Sequence, residues 1–472
     1  MRVLSADLWA PAPGRVLTWD VTPRPGSVPT PAAPTYNQRN HLLGAHAGEP
    51  SVWITAAFDV DGPVDRDALE AAFRDLVADH PGLRVEAVRR PDPRTVGLVR
   101  HEPAGLAWRR HEGPVTRTAD DTREHLVAEL SRRCAPFGYP AFLPAAISRP
   151  DRSTVVLGMD HLHTDAWSTT VVVDELAARY AEHAGEDGPD GRGGSAPALP
   201  AGAAAIVADP ADLACPADAA HPADPADAAG PPFVGADDPR LATWHGFLRD
   251  RGWALPTFPL PLGVPDGERA PQRTVVRPLA DAATADAVAA RARSAGASTS
   301  AAVLVTLARA VADLGGPDTL ETLLPVHTRG DDAARRAVGW HTTTVPLRIE
   351  TGDGADGALA ATGKALRAAR ELAAVPLEQV VETLPGPLRF PRVDIFQVSY
   401  LDYRRLPGHA ASAGRAAHHV SAATRADDLQ VWVSRTDDGI AVRARMPRTP
   451  TAVATVDAVL DRWSELLTAL AG

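Results

Sequence analysis

The feature that most restricts how this chain folds is a break in its composition. Residues 185–232 are dominated by Ala, Asp, Pro and Gly and repeat the triplet Pro-Ala-Asp at 210–212, 216–218, 222–224 and 225–227. Such a tract buries too little apolar surface to offset the entropy of ordering it, and it reads as a disordered linker. It divides the 472-residue chain into two pieces, each of ordinary domain size. The first 35 residues are rich in proline, lack a clear period and read as an extended arm. The expected organisation is therefore an arm at 1–35, a first lobe at 36–184, the linker at 185–232 and a second lobe at 233–472.

Bulk properties exclude several functions. The net charge of −11 argues against a nucleic-acid partner, which needs a basic face. No apolar run reaches the length of a membrane-spanning helix, and the N-terminus lacks a signal-type apolar stretch, so no membrane partner and a cytoplasmic location are expected. The one lysine, Lys364, lies in a helical Ala/Arg pattern, which leaves Schiff-base chemistry with a poor candidate. Of the two cysteines, Cys215 falls in the linker tract and Cys134 reads as a packed thiol, so a reducing compartment is expected.

Both halves alternate strand-like and helix-like periods. "SVWITAAFDVDG" (51–62) alternates like a strand, and "DRDALEAAFRDLVADHPGL" carries helical spacing between an Asp65 cap and Pro81-Gly82. "TVVLGMDHL" is an apolar strand, and "AWSTTVVVDELAARYAEHA" has a period near 3.6 through Val172, Leu176 and Tyr180, with Asp165 as its cap. The second half repeats this mixed content, with helices at "DAATADAVAARARSAGAS" and "TSAAVLVTLARAVADLGG" and strands at "TLETLLPVHTRG", "TTTVPLRIE", "RVDIFQVSYLDY" and "DLQVWVSRTDDGIAVRARM".

The strand-to-helix turn at 159–168, Met-Asp-His-Leu-His-Thr-Asp-Ala-Trp-Ser, carries the chemistry. Turns of this kind present side chains to a substrate. A neutral imidazole with a pKa near ~6.5 suits proton removal from an amine or hydroxyl at neutral pH. His161 is thus a candidate general base, and Asp165 reads on its own as the cap of the following helix.

His161 and Asp165 match the His-x-x-x-Asp core of chloramphenicol acetyltransferases and of the condensation domains of nonribosomal peptide synthetases. His80, Pro81, Leu83 and Arg84 resemble the family's His-Pro-x-Leu-Arg segment. "LPVHTRGDDAARRAVGWHTTTVPLRI" is similar to its later strand, arginine and Val-Gly segment, and "VDIFQVSYLDY" stands at its Phe-Asn-Tyr segment. The order holds over roughly residues 35–470. The resemblance implies an α+β fold of two chloramphenicol-acetyltransferase-like lobes, a V-shaped pseudo-dimer with His161 in a tunnel between them. It implies an acyltransferase, a condensation enzyme of natural-product biosynthesis; with no adenylation or carrier-type segment in the sequence, a free-standing monomer is expected. Its donor would be a thioester on a carrier protein met in trans, and its acceptor a small or carrier-bound amine or hydroxyl. No cofactor is expected beyond the carrier's phosphopantetheine arm, and no metal. Asp165 would hold the loop through Arg329, and Trp167, Trp340, His341, Thr343 and Ser399 would line the tunnel. His163, which shares strand parity with His161, would line it too.

The motif also departs from the family's His-His-x-x-x-Asp-Gly. Asp160 replaces the first histidine and Ala166 the glycine. Asp160, Asp165 and Ser168 spell a pattern found in heterocyclisation domains, which is one alternative. A degenerate, non-catalytic domain that recruits a partner is another. Trp432 is a further candidate for the tunnel wall, and His418-His419 mimics a double histidine without the following aspartate and reads as coincidence.

Overall fold

The computed structural model describes residues 1–90, 95–185, 232–352 and 354–472. The Pro-Ala-Asp tract and Cys215 lie outside the described residues. Three strands come first: β1 (Arg2–Ser5), β2 (Arg15–Pro23) and β3 (Thr30–Ala32). Then follow α1 (Tyr36–His46), β4 (Trp53–Asp61), α2 (Arg66–Asp79), β5 (Val85–Arg89), β6 (Val96–Arg100) and β7 (Leu106–Val115). The first half closes with α3 (Ala119–Arg133), β8 (Phe142–Ser148), β9 (Arg152–Asp160) and α4 (Ala166–His183).

The second half opens with α5 (Pro239–Arg249), β10 (Ala270–Asp281), α6 (Ala282–Ser294), α7 (Thr299–Asp313), β11 (Thr319–His327) and α8 (Asp332–Arg335). It continues through β12 (Thr342–Glu350), α9 (Ala355–Glu371), α10 (Leu377–Glu382), β13 (Gln397–Asp402) and α11 (His409–Gly414). It ends with β14 (His418–Ser421), β15 (Arg425–Ala426), β16 (Gln430–Thr436), β17 (Gly439–Pro447) and α12 (Pro450–Ala471).

Two seven-stranded sheets organise these elements into two lobes of mixed α+β content. The first runs β1-β14-β4-β9-β8-β2-β7 and the second β12-β11-β13-β16-β17-β10-β15. In β9, Val155, Leu157 and Met159 pack with α2 and α4, whereas Val156 packs with Leu126 and Leu130 of α3 on the opposite face. Burial on both faces explains why β9 reads as a continuous apolar run rather than an alternating one. The second sheet is different. Val431, Val433, Val442 and Ala444 face a core closed by α6, α7, α9 and α12, while the alternate residues of β16 and β17 turn toward the first lobe.

Two expectations are corrected here. Residues 1–35 are not an extended arm: β2 is an interior strand between β8 and β7, and Trp19 is fully buried against Phe73. The prolines cluster before Gly14 and from Pro23 onward, which leaves Arg15–Thr22 free to pair and to alternate Leu17, Trp19 and Val21 inward. Nor does the second half keep to its own lobe. β14 crosses over to lie between β1 and β4 in the first sheet, with His419 opposite Ala56 and Ser421 opposite Ile54. Among the described residues no single helix is long and apolar enough to cross a membrane.

Candidate active site

The turn that carries His161 is fixed from several sides. β9 ends at Asp160, whose main-chain N–H donates to Ala141, and the N–H of His161 donates to Val52. A single 3-10 turn, His161–His163, follows. Asp160 caps it, its Oδ1 accepting from the Leu162 N–H at 2.9 Å. The same oxygen meets His41 Nε2 at 2.7 Å, and Asp160 is wholly buried. From α1, Gln38 donates to the Leu162 carbonyl at 3.0 Å and Asn37 donates to the Thr342 carbonyl at 2.7 Å. One helix thus holds the turn from one lobe and touches the other lobe.

Asp165 performs two jobs at once. It caps α4 by accepting from the Ser168 N–H at 2.8 Å. It also receives Arg329 of the second lobe in a two-pronged ion pair, Nη1 to Oδ2 at 2.8 Å and Nη2 to Oδ1 at 3.0 Å. The His341 N–H and the Thr342 hydroxyl each donate to Oδ2 at 3.1 Å. Arg329 holds the Asp165 carboxyl far below the usual carboxylate range, against a burial that alone would raise it. The Ser168 hydroxyl lies 2.8 Å from both Asp165 Oδ1 and the Gly339 carbonyl, and it accepts from Arg329 Nη2 at 2.9 Å. Ser168 is fully buried in this lock and does not reach the cavity.

A cavity of about 750 Å³ lies between the lobes, and His161 is on its wall. The Nδ1 of His161 is buried without a hydrogen-bond partner of normal geometry, and Nε2 is the ring nitrogen open to the cavity. The indole of Trp340 lies along the ring, with centroids 4.0 Å apart and planes inclined by 31°. Burial lowers the imidazole pKa below its ordinary value, and His41 adds to this; its own carbonyl, Asp160 and Asp165 act in the opposite direction. The net shift keeps His161 neutral, the form that accepts a proton.

Trp167, Trp340, Ser399 and Trp432 line this cavity, as does Ala166. Three expected wall residues do not. His163 is buried and its Nδ1 meets the Gly82 carbonyl at 2.7 Å. Strand parity fails for it because the backbone has entered a 3-10 turn, where residues i and i+2 no longer share a face. Thr343 is replaced by its neighbours Thr342 and Thr344, which occupy the cavity face of β12. His341 contributes its main-chain N–H to Asp165 while its side chain is buried away from the cavity. Gly82 shows why this region takes no larger residue: a Cβ there would stand 2.6 Å from the Val338 carbonyl oxygen.

Two further histidines belong to the site: His41, which does not stand out in the sequence, and His419, whose pairing with His418 reads there as coincidence but which lines the cavity. His41 lies on the α1 face that also presents Asn37, Asn40 and Gly44 to the cavity, a helical spacing that is legible only once the helix is known to face the site. His419 arrives on the crossing strand β14, with Nδ1 3.2 Å from the Thr169 hydroxyl. Burial, with Arg443 and His161 nearby, drives its pKa down to about 3. Cys134 is fully buried, with its thiol pushed well up by burial, and is no nucleophile. Among the described residues no three His, Cys, Asp or Glu side chains converge as metal ligands do.

Comparison with known proteins agrees with this geometry. No family model matches the chain. The 2'-acyl-2-O-sulfo-trehalose (hydroxy)phthioceranyltransferase PapA1 of Mycobacterium tuberculosis is 25% identical over 418 residues, covering 84% of this chain and 73% of that protein. The solved structure of PapA2 acyl transferase superposes over 100% of both chains with a TM-score of 0.82 at 22% identity. The first condensation domain of the calcium-dependent antibiotic synthetase, in complex with a substrate analogue, superposes over 94% of this chain and 98% of its own with a TM-score of 0.60 at 18% identity. The fold is the two-lobed condensation-domain fold. The chain is an acyltransferase, similar to enzymes that transfer acyl groups in lipid or natural-product biosynthesis.

Proposed function

We propose that the protein transfers an acyl group from a thioester, carried on the phosphopantetheine arm of a carrier protein met in trans, to a hydroxyl or amine acceptor, with His161 as general base. One observation supports this above all: the Nε2 of a half-buried imidazole, whose pKa burial lowers, is uncommitted and opens onto a cavity walled by both lobes. Nε2 would take the proton from the acceptor O–H or N–H as its heteroatom attacks the thioester carbonyl. The C–S bond then breaks, and the departing thiolate takes that proton from the imidazolium. Trp340 holds the ring in plane, and Asp165 and Arg329 hold the turn without touching the reacting atoms.

The same cavity runs beneath the second sheet along Leu248, Leu304, Leu323, Leu366, Val380 and Leu388, an apolar channel suited to the hydrocarbon part of the acyl group. Asp160 and Ser168 lie outside the cavity and have structural partners, so their spacing offers no support for cyclisation chemistry. The open cavity and the placement of His161 disfavour a purely recruiting role. The test is intact-mass analysis of acyl-loaded carrier proteins incubated with the enzyme and pools of alcohols and amines. Loss of acyl load from one carrier, with a matching ester or amide product, is expected; no unloading of any carrier while a free acyl thioester is consumed would overturn the carrier as donor.

A further inference from the structure

Arg443 is a buried cation that no carboxylate among the described residues contacts. It lies on β17 directly opposite Trp432 of β16, and its guanidinium stacks 4.5 Å from the indole centroid. Only 5% of the residue is exposed, and it lines the cavity shared with His161. One guanidinium nitrogen, Nη2, donates to the Ser421 hydroxyl on the crossing strand β14. Nε is buried with no partner, and Nη1 has none and is open to the cavity. Among the described residues no carboxylate stands within 4.0 Å of it, although its neighbour on the same face, Arg445, is paired with Asp394 at 3.0 Å. A buried charge left unpaired in this way destabilises a fold by several kcal/mol. The same face shows what a structural arginine looks like: Arg445 bonds Gln272, Gln430 and Thr424 as well as Asp394.

We infer that Arg443 is an oxyanion-binding residue of the substrate cavity, recognising a carboxylate, sulfate or phosphate group on a substrate whose reacting end lies at His161. Guanidinium nitrogens in one plane match two oxygens of such a group. Trp432 holds that plane from one face, and the hydroxyl of Ser421 fixes its rotation. His419 beside it stays neutral and adds no competing charge. The anion could enter on the acceptor or as the phosphate of the donor's pantetheine arm; the recognition chemistry is common to both. The inference deepens the acyl-transfer reading, on which it rests for the identity of the substrate but not for anion binding itself.

The test uses the full chain. Sodium sulfate, against sodium chloride at matched ionic strength, is titrated into wild type, Arg443→Gln, Arg443→Lys and His161→Ala, followed by tryptophan fluorescence and thermal unfolding. Wild type and His161→Ala are expected to bind sulfate alike, Arg443→Lys more weakly, and Arg443→Gln with about 10- to 100-fold lower affinity. The Tm of Arg443→Gln without sulfate is expected to equal or exceed that of wild type, since an unpaired charge has been removed. Turnover of acyl-coenzyme A against acyl-N-acetylcysteamine, which lacks the phosphate, separates the two sources: a KM penalty confined to the first assigns the anion to the donor. A penalty that persists with the second, and follows a carboxylate or sulfate on the acceptor, assigns it to the acceptor. Equal sulfate responses in wild type and Arg443→Gln, or none in wild type, overturns the inference. His161→Ala binding sulfate normally while retaining turnover would instead refute the general-base reading alone.

Discussion

Replacing Arg329 by methionine keeps most of its length and removes the partner of Asp165. The side chains of the pair are 0% and 5% exposed, so water screens the interaction little. The variant strips two charge-assisted hydrogen bonds, at 2.8 and 3.0 Å, from a carboxylate that keeps only neutral donors from Ser168, His341 and Thr342. Breaking one side of such a pair costs about 3–5 kcal/mol. Asp165→Asn removes the other charge and leaves the guanidinium held by Ser168 and the Ala337 carbonyl. The double variant carries no stranded charge, and its loss should fall short of the sum of the singles by about 1.5–3 kcal/mol. Urea unfolding followed by tryptophan fluorescence measures all four proteins, and Trp167 reports locally because its ring lies 5.5 Å from the Arg329 guanidinium. Losses under about 1 kcal/mol, or strict additivity, would refute the claim that this pair locks the catalytic turn across the two lobes.

Other consequences follow from the same geometry. Burial, with Arg443 and His161 nearby, lowers the His419 pKa to about 3 from the ordinary value of ~6.5, so the unfolded state binds the extra proton and stability falls as pH drops below that value; one pH unit below it the loss is about 1 kcal/mol, and His419→Gln should flatten that part of a Tm-against-pH curve. Asp160→Asn keeps an acceptor for the Leu162 N–H but removes a charge that favours the protonated His161 ring, so the acid limb of kcat/KM should move to still lower pH, and a shift upward would contradict the assignment. Gly82→Ala should cost about 1–3 kcal/mol in thermal or urea unfolding, because the added methyl meets the Val338 carbonyl at 2.6 Å between two segments that frame the turn.

Much of the site was legible because its core is local. His161 and Asp165 stand four residues apart at a change from an apolar run to a 3.6 period, and the resemblance of the downstream segments to condensation domains implies Arg329. What the sequence hid has identifiable causes. The proline-rich composition of the first 35 residues masked "RVLTWDVT", an interior strand. The resemblance implies Thr343, whereas Thr342 and Thr344 hold the cavity face of β12, because a motif position does not fix which parity of a strand faces a cavity. His163 escapes strand parity because the backbone leaves the strand for a 3-10 turn at His161. His41, His419 and Arg443 meet only through the crossing of β14 and the approach of the two lobes, a matter of tertiary arrangement that no local spacing encodes.

The central claim is that the open Nε2 of His161 removes the acceptor's proton. Single-turnover transfer from an acyl-loaded carrier protein, compared between wild type and His161→Ala and with carrier binding measured in parallel, tests it most directly. The account predicts that carrier binding is unchanged while the transfer rate falls by about 10²–10⁴-fold, the usual contribution of a positioned general base. A His161→Ala enzyme that binds its carrier and transfers the acyl group at the wild-type rate would contradict it.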